Sequence, residues 1–174
     1  MSELFSIQLQ NRQQQGRDGV WLDLPTTTEQ VQAALRQIGI SSDNPQGLFI
    51  SGYFAEEEKR FAIPYNMVLA SNVDELNFLA ARLETLSAGE RAELNAALQA
   101  PQSELSSIGK ITDFPENVEY YVHLPDVRGP VQLGDYYLNR SGMVDMPEEW
   151  KGGIDTAQFG RYVAQQEQGA FTQY

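Results

Sequence analysis

The chain has no cysteine and a single histidine, His123. Without thiols there is no disulfide, no thiolate zinc site and no cysteine nucleophile. One histidine argues against a histidine-rich metal site and leaves any serine–histidine chemistry resting on His123 alone. Basic residues are scarce: 12 Lys+Arg stand against 24 Asp+Glu, for a net charge of −12 and a pI of about 4.4. That balance argues against gripping nucleic acid through its phosphates, a role that needs clustered Lys and Arg. No apolar run approaches the roughly 20 residues that span a bilayer, so no membrane association is expected. Met1-Ser2-Glu3-Leu4-Phe5 lacks the basic and apolar regions of a secretory signal, which makes the cytoplasm the expected location. No G-x-x-x-x-G-K-[ST] loop, G-x-G-x-x-G element or G-x-S-x-G elbow occurs. No cofactor is expected.

What is present is a foldable chain. Its 174 residues include 2 Trp, 8 Tyr and 8 Phe, too many aromatics for an acidic disordered tail. Near the start, Phe5, Ile7 and Leu9 alternate with polar residues, the period of a half-buried strand. Val20–Leu24 reads as its hairpin partner, stopped by Pro25. Thr26 with Glu29 reads as a capping box. Val31, Ala34, Leu35 and Ile38 then share one helical stripe, and Gly39 ends it. Leu48–Phe54 predicts a third strand and Arg60–Ile63 a short fourth.

The period then changes. Asn72 is placed to cap a helix carrying Leu76, Leu79, Ala80 and Leu83, and Ser87 with Glu90 to cap the next, an αα-hairpin. Further on, Val118, Tyr120, Val122 and Leu124 alternate as in a strand. Leu133–Leu138 is short and either helical or extended, and Met143–Met146 is a candidate strand. Asp155 is placed to cap a helix with Phe159, Tyr162 and Val163, closed by Gly169 before a terminal strand, Ala170–Tyr174. The class is α+β, elongated, in two to three small lobes: 1–64, β-rich with one helix; 65–108, helical; and 109–174, α+β.

The acids are distributed rather than blocked. Asp113, Glu116, Glu119, Asp126, Asp135, Asp145, Glu148, Glu149 and Asp155 face only Arg128, Arg140 and Lys151, and most stand singly among aromatics. Asp74, Glu75, Glu84, Glu90 and Glu93 extend the acidic set through the central helices. Duplex DNA carries one charge per about 1.7 Å of axis, so 24 carboxylates match very roughly 40 Å of duplex. An ordinary acidic protein using charge for solubility has the same composition. Two other classes stay open: an acidic adaptor for another basic partner, and a hydrolase built on a carboxylate pair.

Four stretches carry a family likeness. Gly16-Arg17-Asp18-Gly19-Val20-Trp21-Leu22-Asp23-Leu24-Pro25, Val73–Leu83 with Leu76-Asn77-Phe78-Leu79-Ala80, Leu133-Gly134-Asp135-Tyr136-Tyr137-Leu138, and Ile154–Arg161 with Gly169-Ala170-Phe171-Thr172 occur in order along the chain. In these the chain resembles the ArdA antirestriction proteins of plasmids, phages and conjugative transposons. The resemblance implies an elongated three-lobed homodimer, not an enzyme and without cofactor. Its acidic surface would imitate bent B-form DNA in the groove of a type I restriction–modification enzyme. It also implies that the segment 109–174 holds the dimerisation region, carried here to Leu133, Tyr136, Tyr137 and Leu138; the same residues serve equally as core of the third lobe. The chain departs from the family pattern at Ser51-Gly52-Tyr53-Phe54 and Ala157-Gln158, where acids are common.

Overall fold

The structure is a computed structural model that describes residues 3–14, 18–41, 46–101, 103–118 and 121–173. Three strands form an antiparallel sheet in the order β2-β1-β3: β1 (Phe5–Asn11), β2 (Val20–Leu24) and β3 (Leu48–Phe54). The period-2 pattern sets its faces. Phe5, Ile7 and Leu9 are buried, while Gln8 and Gln10 look outward. Ile7 pairs with Leu22 on one side and Tyr53 on the other. A bulge at Gln8/Leu9 leaves Ser51 out of the ladder, and its hydroxyl donates to the Gln8 carbonyl and Oε1 at 3.3 and 3.0 Å.

Helices supply the rest of the α+β fold. The first, α1 (Thr28–Gln37), begins one residue later than the sequence predicts. Thr27 with Gln30, not Thr26 with Glu29, makes the capping box. Thr26 is engaged elsewhere: its N–H donates to Asn77 Oδ1 at 2.7 Å, and its carbonyl accepts from Asn77 Nδ2 at 3.0 Å. Gly39 follows α1 at φ +68, the left-handed position that glycine adopts without strain. Then come α2 (Tyr65–Leu69), α3 (Val73–Glu84), α4 (Ala88–Gln99), α5 (Ile108–Thr112) and the short α6 (Phe114–Asn117). Asn72 caps α3, and Ser87 with Glu90 closes a capping box on α4, both as read from sequence. Toward the C-terminus stand α7 (Pro130–Asp135), which runs on as a π-helical turn over Tyr136–Arg140, then α8 (Glu148–Lys151) and α9 (Thr156–Gln166), capped by Asp155.

Four expected strands are not formed among the described residues. Arg60–Ile63 is extended but unpaired; Phe61 and Ile63 are buried, and the Ala62 N–H goes to Asn95 Oδ1 at 2.7 Å instead of a neighbouring strand. Val118 closes a helical turn, residues 121–124 are irregular chain, and Val122 is 84% exposed. Tyr120 lies outside the described residues. Met143–Met146 and residues 170–173 are likewise irregular, with Tyr174 outside the described set. Alternation names a face, but a strand also needs a partner edge, and the one sheet among the described residues lies in the N-terminal segment.

One contiguous apolar core runs from Leu4 to Phe114, joining the sheet to α1, α3, α4 and α5. Leu133, Leu138 and Val163 are buried outside it, where α7 packs on α9. That contact depends on two glycines. A Cβ on Gly134 would run into the Thr156 carbonyl, and one on Gly160 into the Pro130 carbonyl. The four likeness-bearing stretches therefore meet in pairs: Thr26, next to the first, with Asn77 of the second, and Gly134 of the third with Gly160 of the fourth.

Asn77→Ala strands the amide and carbonyl of Thr26 together. It is expected to lower stability by about 1–3 kcal/mol in urea unfolding, with the cooperativity of the transition unchanged.

Candidate functional site

Exposure decides what the acids can do. Asp74, Asp113, Glu116, Asp126, Asp145, Glu148, Glu149 and Asp155 are exposed. Glu75, Glu84, Glu90, Glu93 and Asp135 are half-buried, and Glu119 lies outside the described residues. No described Asp or Glu is buried. Helical spacing explains part of this pattern: α3 and α4 turn their leucines into the core and leave their acids on the other side.

Some of these acids also serve the fold. Glu90 closes the α4 box, and hydrogen bonds from the Ser87 hydroxyl and amide hold its carboxyl below the usual carboxylate range. Asp155 accepts the Gln158 N–H at 2.9 Å. Glu116 meets Arg82 at 2.9 Å, tying α6 to α3; Asp135 meets Arg140 at 3.5 Å; and Glu148 meets Lys151 at 2.6 Å. Exposed pairs of this kind contribute about 0–1 kcal/mol each and dilute the local charge only in part. A fourth pair, Lys59–Glu56 at 3.0 Å, lies in the N-terminal segment.

The surface is large for the mass. The chain exposes 10899 Å², whereas a compact monomer of 19.5 kDa exposes about 8500 Å².

Concave chemistry is thin by comparison. One cleft of about 280 Å³ lies beside Glu104, Lys110, Asp113, Asn117 and Tyr121. Both of its acids, Glu104 and Asp113, are exposed, so the cleft does not present the pair of buried acids by which a carboxylate hydrolase is recognised. His123 is half-buried in irregular chain, and its Nε2 is enclosed without a protein partner. Tyr53 packs edge-on against Phe5 with ring centroids 5.3 Å apart; burial pushes its hydroxyl up to about 12 against the opposing pull of Arg60. Among the described residues no group of His, Asp and Glu is placed to hold a metal ion. No helix of the described residues is long and apolar enough to cross a membrane.

The residues read as a dimer contact divide. Leu133 and Leu138 are buried within their own chain, and Tyr136 and Tyr137 are half-buried. The two tyrosine rings meet edge-on at 5.6 Å, with Arg140 over Tyr136 at 5.5 Å. Burial, then Glu167 and Tyr136, raise the Tyr137 hydroxyl. Sequence reasoning missed two features here: the Gly134–Gly160 crossing that positions these tyrosines, and the exposed Val131 and Tyr162 on the same helix pair.

Fold and surface together define an acidic α+β protein whose described carboxylates are all exposed or half-buried. Among known families the model for the antirestriction protein (ArdA) matches residues 15–174, and the chain belongs to that family; its function is accordingly antirestriction. The match begins after β1, the central strand of the sheet. No curated protein sequence matches the chain.

Proposed function

We propose that this protein inhibits type I restriction–modification enzymes by occupying their DNA-binding groove as a mimic of B-form DNA, without catalysis and without cofactor. The observation that carries the reading is the exposure of the carboxylates: 24 acids, none of the described ones buried, on a body with excess surface. A groove that binds duplex must neutralise phosphates with Lys and Arg, and spaced carboxylates attract the same cations. The segments 1–64, 65–108 and 109–174 act as successive stretches of the acidic track. The chain works as a homodimer joined through 109–174, with Tyr136 and Tyr137 at the contact and Leu133 and Leu138 shaping the helix pair behind them. It acts in the cytoplasm and binds no nucleic acid itself.

The test is a type I cleavage assay with and without the protein, across a salt series. Inhibition is expected at low salt and is expected to weaken by about tenfold or more between roughly 50 and 200 mM, because steering and ion pairing are screened. Labelled duplex should be displaced from the enzyme as the protein is added. An adaptor that docks elsewhere would leave the duplex bound, and that result would sink the mimicry reading.

A further inference from the structure

The solvent face of the sheet holds an aromatic platform that the carboxylates do not account for. In register, Trp21, Gln8 and Gly52 form one row, and Asp23, Ser6 and Phe54 the next. Both rows lie on the face opposite Phe5, Ile7 and Leu9. Gly52 has no side chain, and the Trp21 indole reaches into that space: a Cβ on Gly52 would lie 3.1 Å from Trp21 Cη2 and 3.2 Å from Gln8 Cβ. The indole thus extends across β1 from one edge strand to the other, yet Trp21 stays 49% exposed and Phe54 56% exposed. Beside them the Ser6 hydroxyl donates to Asp23 Oδ1 at 2.8 Å and lies 3.3 Å from Glu3 Oε1, which draws two carboxylates to the edge of the aromatic patch.

The chain's own arginines show what such rings attract. Arg12 lies over Phe49, on this same face, at 5.3 Å; Arg91 lies over Phe61 at 5.3 Å; Arg140 lies over Tyr136 at 5.5 Å. Among the described residues no cation covers Trp21 or Phe54.

We infer that this face is a docking platform for arginine side chains of a basic partner, which stack on Trp21 and Phe54 and pair with Asp23 and Glu3. Charge complementarity commits the occupant, because a chain of net charge −12 repels acidic partners and leaves these rings open to cations. Arginine fits better than lysine. Its guanidinium is planar and weakly hydrated, so it stacks on a ring and pairs with a carboxylate at once, whereas the ammonium is a strongly hydrated point charge. The inference rests on the reading of the chain as a ligand of a basic groove and deepens it: part of the affinity comes from close stacking, which salt screens far less than the long-range charge.

The test uses the whole chain with Trp150→Phe, which leaves Trp21 as the only tryptophan. Oligoarginine and oligolysine peptides of equal length serve as probes. Trp21 emission is expected to change with oligoarginine at about tenfold lower concentration than with oligolysine. Trp21→Leu is expected to reduce oligoarginine affinity, read by anisotropy of a labelled peptide, to the oligolysine level, while Trp21→Tyr keeps most of it. Phe54→Ser, at an exposed position, is expected to lose about threefold and keeps the test open should Trp21→Leu not fold. Equal affinities for the two peptides, or oligoarginine binding that leaves Trp21 emission unchanged, overturn the platform. In parallel, Trp21→Leu is expected to weaken cleavage inhibition with its salt dependence unchanged; full inhibition by that variant also overturns the platform and leaves the groove reading standing. If the unaltered chain inhibits no type I enzyme, the groove reading fails, and the peptide comparison still decides the platform.

Discussion

Gly160→Ala is expected to undo the packing of α7 on α9 while leaving the first core folded. The added methyl would meet the Pro130 carbonyl and lie 2.8 Å from Gly134 N, both backbone groups that cannot rotate aside. Overpacking against movable side chains usually costs about 1–3 kcal/mol, and a backbone obstacle places this variant at the upper end, on the order of 3 kcal/mol or more. Leu133, Leu138 and Val163 lie outside the contiguous cluster from Leu4 to Phe114, so the damage should stay local. Amide hydrogen exchange should show protection lost over Pro130–Arg140 and Thr156–Gln166 and kept in the sheet. Gly152→Ala is the control: φ there is −63, and nothing lies within 4 Å of the added methyl. Equal behaviour of the two variants would mean that the helices do not cross at these glycines. Because Tyr136 and Tyr137 follow directly on α7, Gly160→Ala is also expected to weaken the proposed self-association.

What sequence could reveal followed the range of the interaction concerned. The capping boxes and stripes of α3 and α4 are local, as is the alternation of β1, and all three are legible within a few residues. The one-residue shift at α1 is not, because it comes from Asn77, 51 positions from Thr26, taking both of that residue's backbone groups. The same holds for Arg60–Ile63, where a helix side chain, Asn95, takes the place of a neighbouring strand. For Val118–Leu124 the alternation was real, but the described residues of that stretch join no sheet edge. Gly134 and Gly160 look like ordinary interruptions in sequence; only their contact gives them a role. Of the candidate site, exposure of the acids was legible, since few carboxylates are buried without a partner. The aromatic face beside them was not, because Trp21 and Phe54 come together only through the register of three strands.

Reversing Asp113, Asp126, Asp145 and Glu149 to lysine together is expected to abolish inhibition, whereas each reversal alone should weaken it only severalfold. These four are exposed, none caps a helix through its side chain, and none belongs to an ion pair among the described residues, so their removal leaves the fold's own contacts in place. Each exposed charge acts through screened solvent and is worth about 0.2–1 kcal/mol to a basic partner. Four reversals move eight charge units, from −12 to −4. Separate sites add, so the loss reaches several kcal/mol, about a thousandfold in affinity. The readout is the cleavage assay, with circular dichroism to verify that each variant is folded. A field made of many weak charges cannot be disabled at one point. If one of the single variants stays folded and yet no longer inhibits, a discrete contact is at work, and the carboxylates are not imitating the phosphates of a duplex.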